Sequence, residues 1–288
     1  RLTPVWAFLP AIGLMLLAVY LLWSLTAPAF WLLIASLGWG NDPAEWRVAT
    51  TFDTVFFGLC IVVVRYWWRW VERRGGDTVG LGPRPDAKGS LVWAGFGLAW
   101  AALSWAVAAA LDPGSDMGWA DGLRIFTRPD AAILSLLVIV PAIVVGAAAE
   151  EIVYRGWMLS TLGPKLGIGW AVAISSVLFA ATHLTPSEYG TAEGLLTFAT
   201  YVAAAAGFAF IALRQGHLYG AIAFHTGYNV LLFWQGYGAY GFDPGRTYDE
   251  LMAGSRVVDH LPSAAAFLLL ELGLTLHLLR RWTGEPRY

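Results

Sequence analysis

The stretch AAILSLLVIVPAIVVGAAAEEIVYR, residues 131–155, joins a long apolar run to two adjacent glutamates and an arginine. About 20 apolar residues in a helix cross a hydrocarbon core roughly 30 Å thick, so this run is long enough to span a membrane. A charged side chain at the bilayer centre costs about 2.5–3.5 kcal/mol on insertion scales, and such groups usually face a bundle interior or a watery cavity. The stretch therefore predicts a membrane helix that presents acidic groups to other helices.

The spacing of the charges predicts different roles for the two glutamates. Glu151 and Arg155 are four residues apart with the acid on the N-terminal side, which is the favourable orientation for an ion pair on a helix. Glu150 is turned by about 100° from Glu151, since a helix has 3.6 residues per turn. We expect Arg155 to hold Glu151 and to leave Glu150 free as an acid or base. A purely structural charge cluster is the alternative interpretation.

The composition is that of a polytopic membrane protein. The 288 residues are 58% hydrophobic and 13% charged, against about 25% charged residues in soluble domains. A net charge of -2 and the lack of long basic runs give no support for a nucleic-acid partner. The single cysteine, Cys60, cannot form an internal disulfide or a cysteine metal site. We expect an integral membrane protein that is embedded in a lipid bilayer.

Hydropathy divides the chain into about eight predicted transmembrane helices, so the predicted fold class is an all-α membrane bundle. A shorter apolar segment, residues 28–39, predicts an interfacial or re-entrant piece between the first two spans. Gly163-Pro164 is a strong helix stop and predicts that the fourth helix ends at Leu162. The predicted spans are residues 4–25, 50–70, 91–111, 131–162, 166–183, 194–213, 218–234 and 261–279.

Basic residues predict the side of the membrane on which the termini lie. Lys and Arg accumulate in short cytoplasmic loops, and most of them fall on the side that holds both ends of an eight-span chain, for example Arg69, Arg73 and Arg74. We therefore expect a multi-pass protein with both termini in the cytoplasm. The hairpin tip near Lys165 should project from the same side, with a cavity that opens toward the cytoplasmic half.

The fifth predicted helix ends in FAATH, residues 179–183, which places an imidazole at the end of an apolar run. A lone histidine in a membrane bundle is more often a hydrogen-bonded core residue than a catalyst. In an antiparallel helical hairpin, however, two residues lie at the same depth when they are equally far along the chain from the turn. The midpoint of 150 and 183 falls within the turn expected at residues 163–167, so Glu150 and His183 should lie side by side.

The seventh predicted helix contains HTGYN, residues 225–229. His225 and Asn229 are four residues apart and therefore project from one helical face. A pair of packing polar residues is the alternative interpretation. With Glu150 and His183, however, three helices would bring complementary polar groups into one bundle, which favours a chemically active site. Transporters and proton relays also use buried Glu and His pairs, so they remain an alternative to an enzyme.

Three motifs in these helices resemble the CPBP family of intramembrane proteases, which includes type II CAAX prenyl endopeptidases and bacteriocin-processing or self-immunity proteins. The family motifs are EExxxR, FxxxH and HxxxN, in that order. Each motif alone is weak, but three in order on three apolar helices form a specific pattern over about residues 150–229. They correspond here to Glu150, Glu151 and Arg155, to Phe179 and His183, and to His225 and Asn229.

The resemblance implies an intramembrane endopeptidase that cleaves a peptide or lipidated protein near the cytoplasmic membrane face. Glu150 would activate a water as general base. His183, His225 and Asn229 would stabilise the oxyanion, since a donor at that position typically contributes about 10²–10³ in rate. A non-catalytic immunity or scaffold protein of the same fold is a further alternative. The supporting residues would be Glu151, Arg155 and Phe179.

The resemblance also implies how the chain is organised and leaves its cofactor open. Residues 131–288 would form the catalytic membrane core, and residues 1–130 an N-terminal three-span region of the same integral domain. Family members are described both as metalloproteases and as metal-independent glutamate proteases. Zinc would take His183, His225 and Glu150 as ligands and leave one position for water. The His-Glu-x-x-His helix of common zinc proteases does not occur in the sequence, so we favour a metal-free mechanism.

Overall fold

All regular structure in the described part of the chain is helical, which confirms the predicted all-α class. The computed structural model describes residues 2–39, 46–82, 86–111, 129–184, 188–240 and 261–281. The loop predicted after the third span lies largely in residues 112–128, outside the described residues. The α-helices of the described ranges are α1 Phe8–Ser36, α2 Trp46–Tyr66, α3 Ala87–Leu111, α4 Pro129–Glu151, α5 Leu159–Leu166, α6 Ile168–Ala181, α7 Ala192–Gln215, α8 Tyr219–Tyr240 and α9 Leu261–Arg280.

Several of these helices are long and apolar enough to cross a membrane. Large apolar side chains such as Trp6 and Leu25 are among the most exposed in the molecule, as expected for a surface covered by lipid. The shorter α6 is also apolar. The protein is therefore an integral, multi-pass membrane protein. Among the described residues the segments that meet both criteria are Val5–Ser36, Arg47–Val71, Ala87–Leu111, Leu137–Leu166 and Ala192–Gln215.

The segment 28–39 does not form the separate re-entrant piece that its length predicted. It continues α1 to Ser36, although Pro28 removes one backbone donor from the helix. The reason is tertiary packing, because Phe30 lies in a buried cluster with Val48 at the start of α2 and with several aromatic side chains. This packing stabilises a helix that hydropathy alone would end earlier.

The fourth predicted helix is also longer than the sequence predicted. It does not end at Gly163-Pro164 but runs through α5 to Leu166. Gly167 then takes a positive φ of 83°, a conformation that favours glycine, and α6 returns antiparallel to α5. Pro164 removes one hydrogen bond from the last turns of the helix, and this loss does not end it.

Between α4 and α5 the chain forms a π-helical segment, Ile152–Met158. It starts directly after Glu151, so α4, the π-helical segment and α5 make one continuous rod. Short π-helical stretches inside α-helices often occur at functional sites, because they change the direction in which neighbouring side chains project. The spacing argument treated this region as a regular α-helix and did not predict the change.

Two glycines bring the backbones of α3 and α8 into direct contact. A Cβ atom on Gly97 would lie 2.1 Å from the carbonyl oxygen of Phe224, and one on Gly227 would lie 2.0 Å from that of Ala94. Both positions therefore require glycine, as in other closely packed membrane helices. Through this contact α3, which belongs to the predicted N-terminal region, supports the helix that carries His225.

A buried polar cluster ties the N-terminal segment to the rod. Glu72, which is 1% exposed, accepts hydrogen bonds from the Thr3 backbone N–H at 3.0 Å, the Thr3 hydroxyl at 2.6 Å and Trp157 Nε1 at 3.3 Å. Its other oxygen lies 3.1 Å from Arg74 Nη1, and Arg74 also donates to Ser160 Oγ. The Glu72 carboxylate therefore joins Thr3 near the start of the chain and the segment after α2 to the rod that carries the predicted site.

Candidate active site

Glu151 and Arg155 form a fully buried ion pair at the start of the π-helical segment. Arg155 Nη1 lies 3.0 Å from Glu151 Oε1, and neither side chain is exposed. Nη2 donates to the carbonyl oxygen of Ala205 at 2.9 Å, and the guanidinium lies 4.6 Å from the centre of the Phe179 ring. These contacts confirm that Arg155 holds Glu151.

Glu150 faces two imidazoles instead of a cation. His183 Nε2 lies 3.6 Å from Glu150 Oε1, and His225 Nε2 lies 3.6 Å from Oε2. The Glu150 side chain is 18% exposed, in contrast to the enclosed Glu151. The contact between Glu150 and His183 confirms the hairpin argument made from their numbering. Each carboxylate oxygen thus has one histidine beside it.

His225 is fixed by the second glutamate of the pair. Its Nδ1 lies 2.9 Å from Glu151 Oε1, and its ring stacks on Phe208 with centroids 4.6 Å apart. A carboxylate only accepts hydrogen bonds when ionised, so Nδ1 carries the proton in this contact. The Nε2 atom is left facing Glu150.

His183 is held in the same tautomer by the backbone. Its Nδ1 lies 2.8 Å from the carbonyl oxygen of Phe179, which can only accept, so Nδ1 donates. The ring lies between Phe179 and Tyr201, at centroid distances of 4.3 and 4.8 Å. About a quarter of the His183 side chain remains exposed. Both imidazoles therefore direct Nε2 toward Glu150.

Asn229 lies one turn after His225 on α8 and is half-buried. Within the described residues, no hydrogen bond joins its amide to Glu150, His183 or His225. Its assignment to this site therefore depends on the helical register that it shares with His225.

Helix α7 contributes contacts that the sequence reasoning missed. Tyr201 packs on His183, the Ala205 carbonyl accepts from Arg155, and Phe208 stacks on His225. These three residues follow the i, i+4, i+7 spacing of one helical face. That spacing was visible in the sequence, but its members carry no obvious catalytic group.

Across the described residues, no three His, Cys, Asp or Glu side chains are grouped at metal-ligand spacing. The Nε2 atoms of His183 and His225 each lie 3.6 Å from a Glu150 oxygen, and these three side chains would be the ligands of a bound zinc ion. The reaction proposed below uses only protein groups and water.

One comparison with known proteins finds a family that is similar to the segment carrying this site. Residues 132–231 match the family described as Rce1-like, type II CAAX prenyl endopeptidase Rce1-like. No curated protein and no solved structure gives a significant match. The matched residues include all three motifs and every side chain around Glu150 described above. This segment is therefore similar to the Rce1-like family, and the similarity supports a membrane-embedded endopeptidase of the CAAX type.

Proposed function

We propose that this chain hydrolyses peptide bonds at the membrane with Glu150 as the general base. The observation that best supports this assignment is the difference between two adjacent carboxylates. Glu151 is enclosed and bound to Arg155, whereas Glu150 is partly exposed and faces two imidazoles. Neighbouring acids in different environments commonly have different catalytic roles. Glu150 is thus the carboxylate that a water molecule and a substrate can reach.

The proposed reaction begins with a water molecule beside Glu150. The Glu150 carboxylate takes one proton from the water. At the same time the water oxygen adds to the scissile carbonyl carbon, which gives a tetrahedral oxyanion. The carbon–nitrogen bond then breaks, and Glu150 returns the proton to the leaving nitrogen. The products are a carboxylic acid and an amine, which become a carboxylate and an ammonium group by proton transfer, and Glu150 is ionised again.

Stabilisation of the oxyanion is assigned to His183, His225 and Asn229. Both imidazoles already donate through Nδ1 to fixed acceptors, so each can donate through Nε2 only as an imidazolium. The Glu151 carboxylate, which accepts from His225 Nδ1, still supplies negative charge beside that form after Glu150 has taken the proton. The Asn229 amide adds a neutral donor from the same face of α8 as His225. One such donor typically contributes about 10²–10³ in rate.

The proposed substrate is a peptide or a lipidated protein at the cytoplasmic membrane face. The three motifs do not include residues that would bind a prenyl group, so the proposal does not specify the lipid of the substrate. Lys165 Nζ hydrogen-bonds to the Thr3 carbonyl, which supports a hairpin tip on the same side as the N-terminal segment.

Cysteine labelling tests this orientation in a Cys60→Ala background. Lys165→Cys should react only with a reagent on the cytoplasmic side, and reaction only from outside would reverse the topology.

The catalytic assignment is tested with purified protein in nanodiscs and a quenched peptide library. Wild type should cleave, and Glu150→Gln should lose at least about 10³ in rate, as expected when an essential base is removed. Glu193→Gln, a change at the start of α7 and outside the site, should cleave normally. Undiminished cleavage by Glu150→Gln would rule out the assigned base. A folded wild type that cleaves nothing would favour the transporter, proton-relay or scaffold alternatives.

A further inference from the structure

We infer that Glu271 on α9 is a positioning residue for this active site and acts through Tyr228 on α8. The inference rests on the proposed function. Tyr228 precedes Asn229 directly and follows His225 by three residues, so any force on its side chain acts on the helix segment that carries both groups. The reaction proposed above does not use Glu271.

Glu271 is a buried acid with two specific partners. It is 2% exposed, accepts a hydrogen bond from Trp100 Nε1 of α3 at 3.0 Å, and is hydrogen-bonded by the phenol of Tyr228. An acid inside a membrane bundle is costly unless it is partnered, and such residues are commonly functional. The acid itself lies on α9. Its partners lie on other helices.

The positions around α8 show why Tyr228 controls the direction of the catalytic groups. Successive residues of a helix are rotated by about 100° about its axis. Measured about the α8 axis from His225, Asn229 therefore lies at about 40°, Gly227 at about 200° and Tyr228 at about 300°. Gly227 therefore faces away from the site and rests on α3, which sets how close α8 comes. Tyr228 points sideways to α9, so its hydrogen bond opposes rotation of α8 about its axis.

Helix α9 is itself fixed, so Glu271 is a firm anchor. One turn after Glu271, the Thr275 hydroxyl donates to the carbonyl oxygen of Ala203 at 2.7 Å. A Cβ atom on Gly207 would lie 3.0 Å from the same hydroxyl, so α7 and α9 pack closely there. Helix α7 also carries the Ala205 carbonyl that accepts from Arg155. Helix α9 therefore contacts α7 directly, and it contacts α8, the helix of His225, through Tyr228.

A small rotation of α8 is sufficient to impair the reaction. Turning a helix by about 10° moves an atom roughly 6 Å from its axis by about 1 Å. A misplacement of about 1 Å can cost up to about 10² in rate. Loss of the phenol–carboxyl contact should therefore lower kcat and leave KM unchanged.

The kinetic test uses Tyr228→Phe, Glu271→Gln and the double variant. Each single change should lower kcat by about tenfold with KM unchanged, and the double variant should be no slower than the singles, since both remove one interaction. Trp100→Phe is the matched control, because it removes the other hydrogen bond to Glu271 and leaves the Tyr228 contact. Its kcat should match that of the wild type. Wild-type kcat in Tyr228→Phe, or a loss proportional to the unfolded fraction, would overturn the inference.

A second readout is independent of cleavage and separates this inference from the proposed function. In protein labelled with ¹⁵N-histidine, the His225 imidazole signals, assigned with His225→Gln, should shift in Tyr228→Phe and in Glu271→Gln but not in Trp100→Phe. Unchanged His225 signals would overturn the positioning role even if wild type cleaves. Shifted signals in a protein that cleaves nothing would support the positioning role and reject the protease.

Discussion

Glu151 Oε1 lies 3.0 Å from Arg155 Nη1 and 2.9 Å from His225 Nδ1, so one oxygen serves both the arginine of its own helical rod and the histidine of α8. This shared contact joins the two helices at the site and selects the tautomer of His225. It also separates the two glutamates in space, because Glu150 contacts the Nε2 atom on the other side of the same imidazole.

The first prediction concerns the stability of the two glutamates. Glu151→Ala leaves the fully buried Arg155 without its counter-charge, which typically costs about 3–5 kcal/mol. Glu150→Ala removes a partly exposed acid without a guanidinium partner and should change stability much less. The free energy of unfolding can be measured by SDS titration with tryptophan fluorescence as the signal. Equal losses in the two variants would contradict the division between a holding and a reacting carboxylate.

The second prediction compares two glycines of the same helix. Gly97→Ala forces a methyl group against the Phe224 carbonyl, so we expect a loss of about 1–3 kcal/mol from overpacking and impaired cleavage as α8 moves. Gly95 has nothing within 4 Å of an added Cβ, and Gly95→Ala should stabilise α3 by about 0.5–1 kcal/mol. Thermal unfolding and cleavage rates report both effects. A harmless Gly97→Ala would refute direct backbone contact between α3 and α8.

The third prediction concerns Glu72, whose carboxylate joins the N-terminal segment to the rod. Glu72→Ala removes the counter-charge of Arg74 and the acceptor of the Thr3 and Trp157 donors, and we expect a loss of about 3–5 kcal/mol. The comparison is Asp86→Ala, which removes an exposed acceptor of the Lys88 and Gly89 N–H groups and should cost about 1 kcal/mol. The same SDS titration measures both. Similar small losses would show that the Glu72 cluster contributes little.

The fourth prediction concerns metal removal. The proposed reaction uses no metal ion, so cleavage should survive prolonged treatment with a zinc chelator. The measurement is the cleavage rate of wild type before and after chelation, with metal analysis of the same sample. Glu150→Gln serves as the inactive reference. Activity that is lost on chelation and restored by zinc would assign Glu150, His183 and His225 as ligands instead.

Local patterns in the sequence were sufficient to predict several features of the site. Helical spacing predicted the Glu151–Arg155 pair, and the numbering of a hairpin predicted the contact between Glu150 and His183. Both depend on neighbours along one helix or across one short turn, where geometry is nearly independent of the rest of the chain. The predicted helix stop at Gly163-Pro164 was wrong, because the loss of one backbone hydrogen bond at Pro164 does not prevent the helix from continuing to Leu166.

The sequence by itself determined the all-α membrane class, the order of the helices and the identity of the polar groups, since hydropathy and helical period act locally. Only the tertiary structure decided that Glu151 also holds His225, that α3 supports α8 through Gly97, and that Glu271 meets Tyr228. These contacts join residues far apart in the chain. Their partners depend on how helices pack and rotate against one another, which no spacing within a single helix specifies.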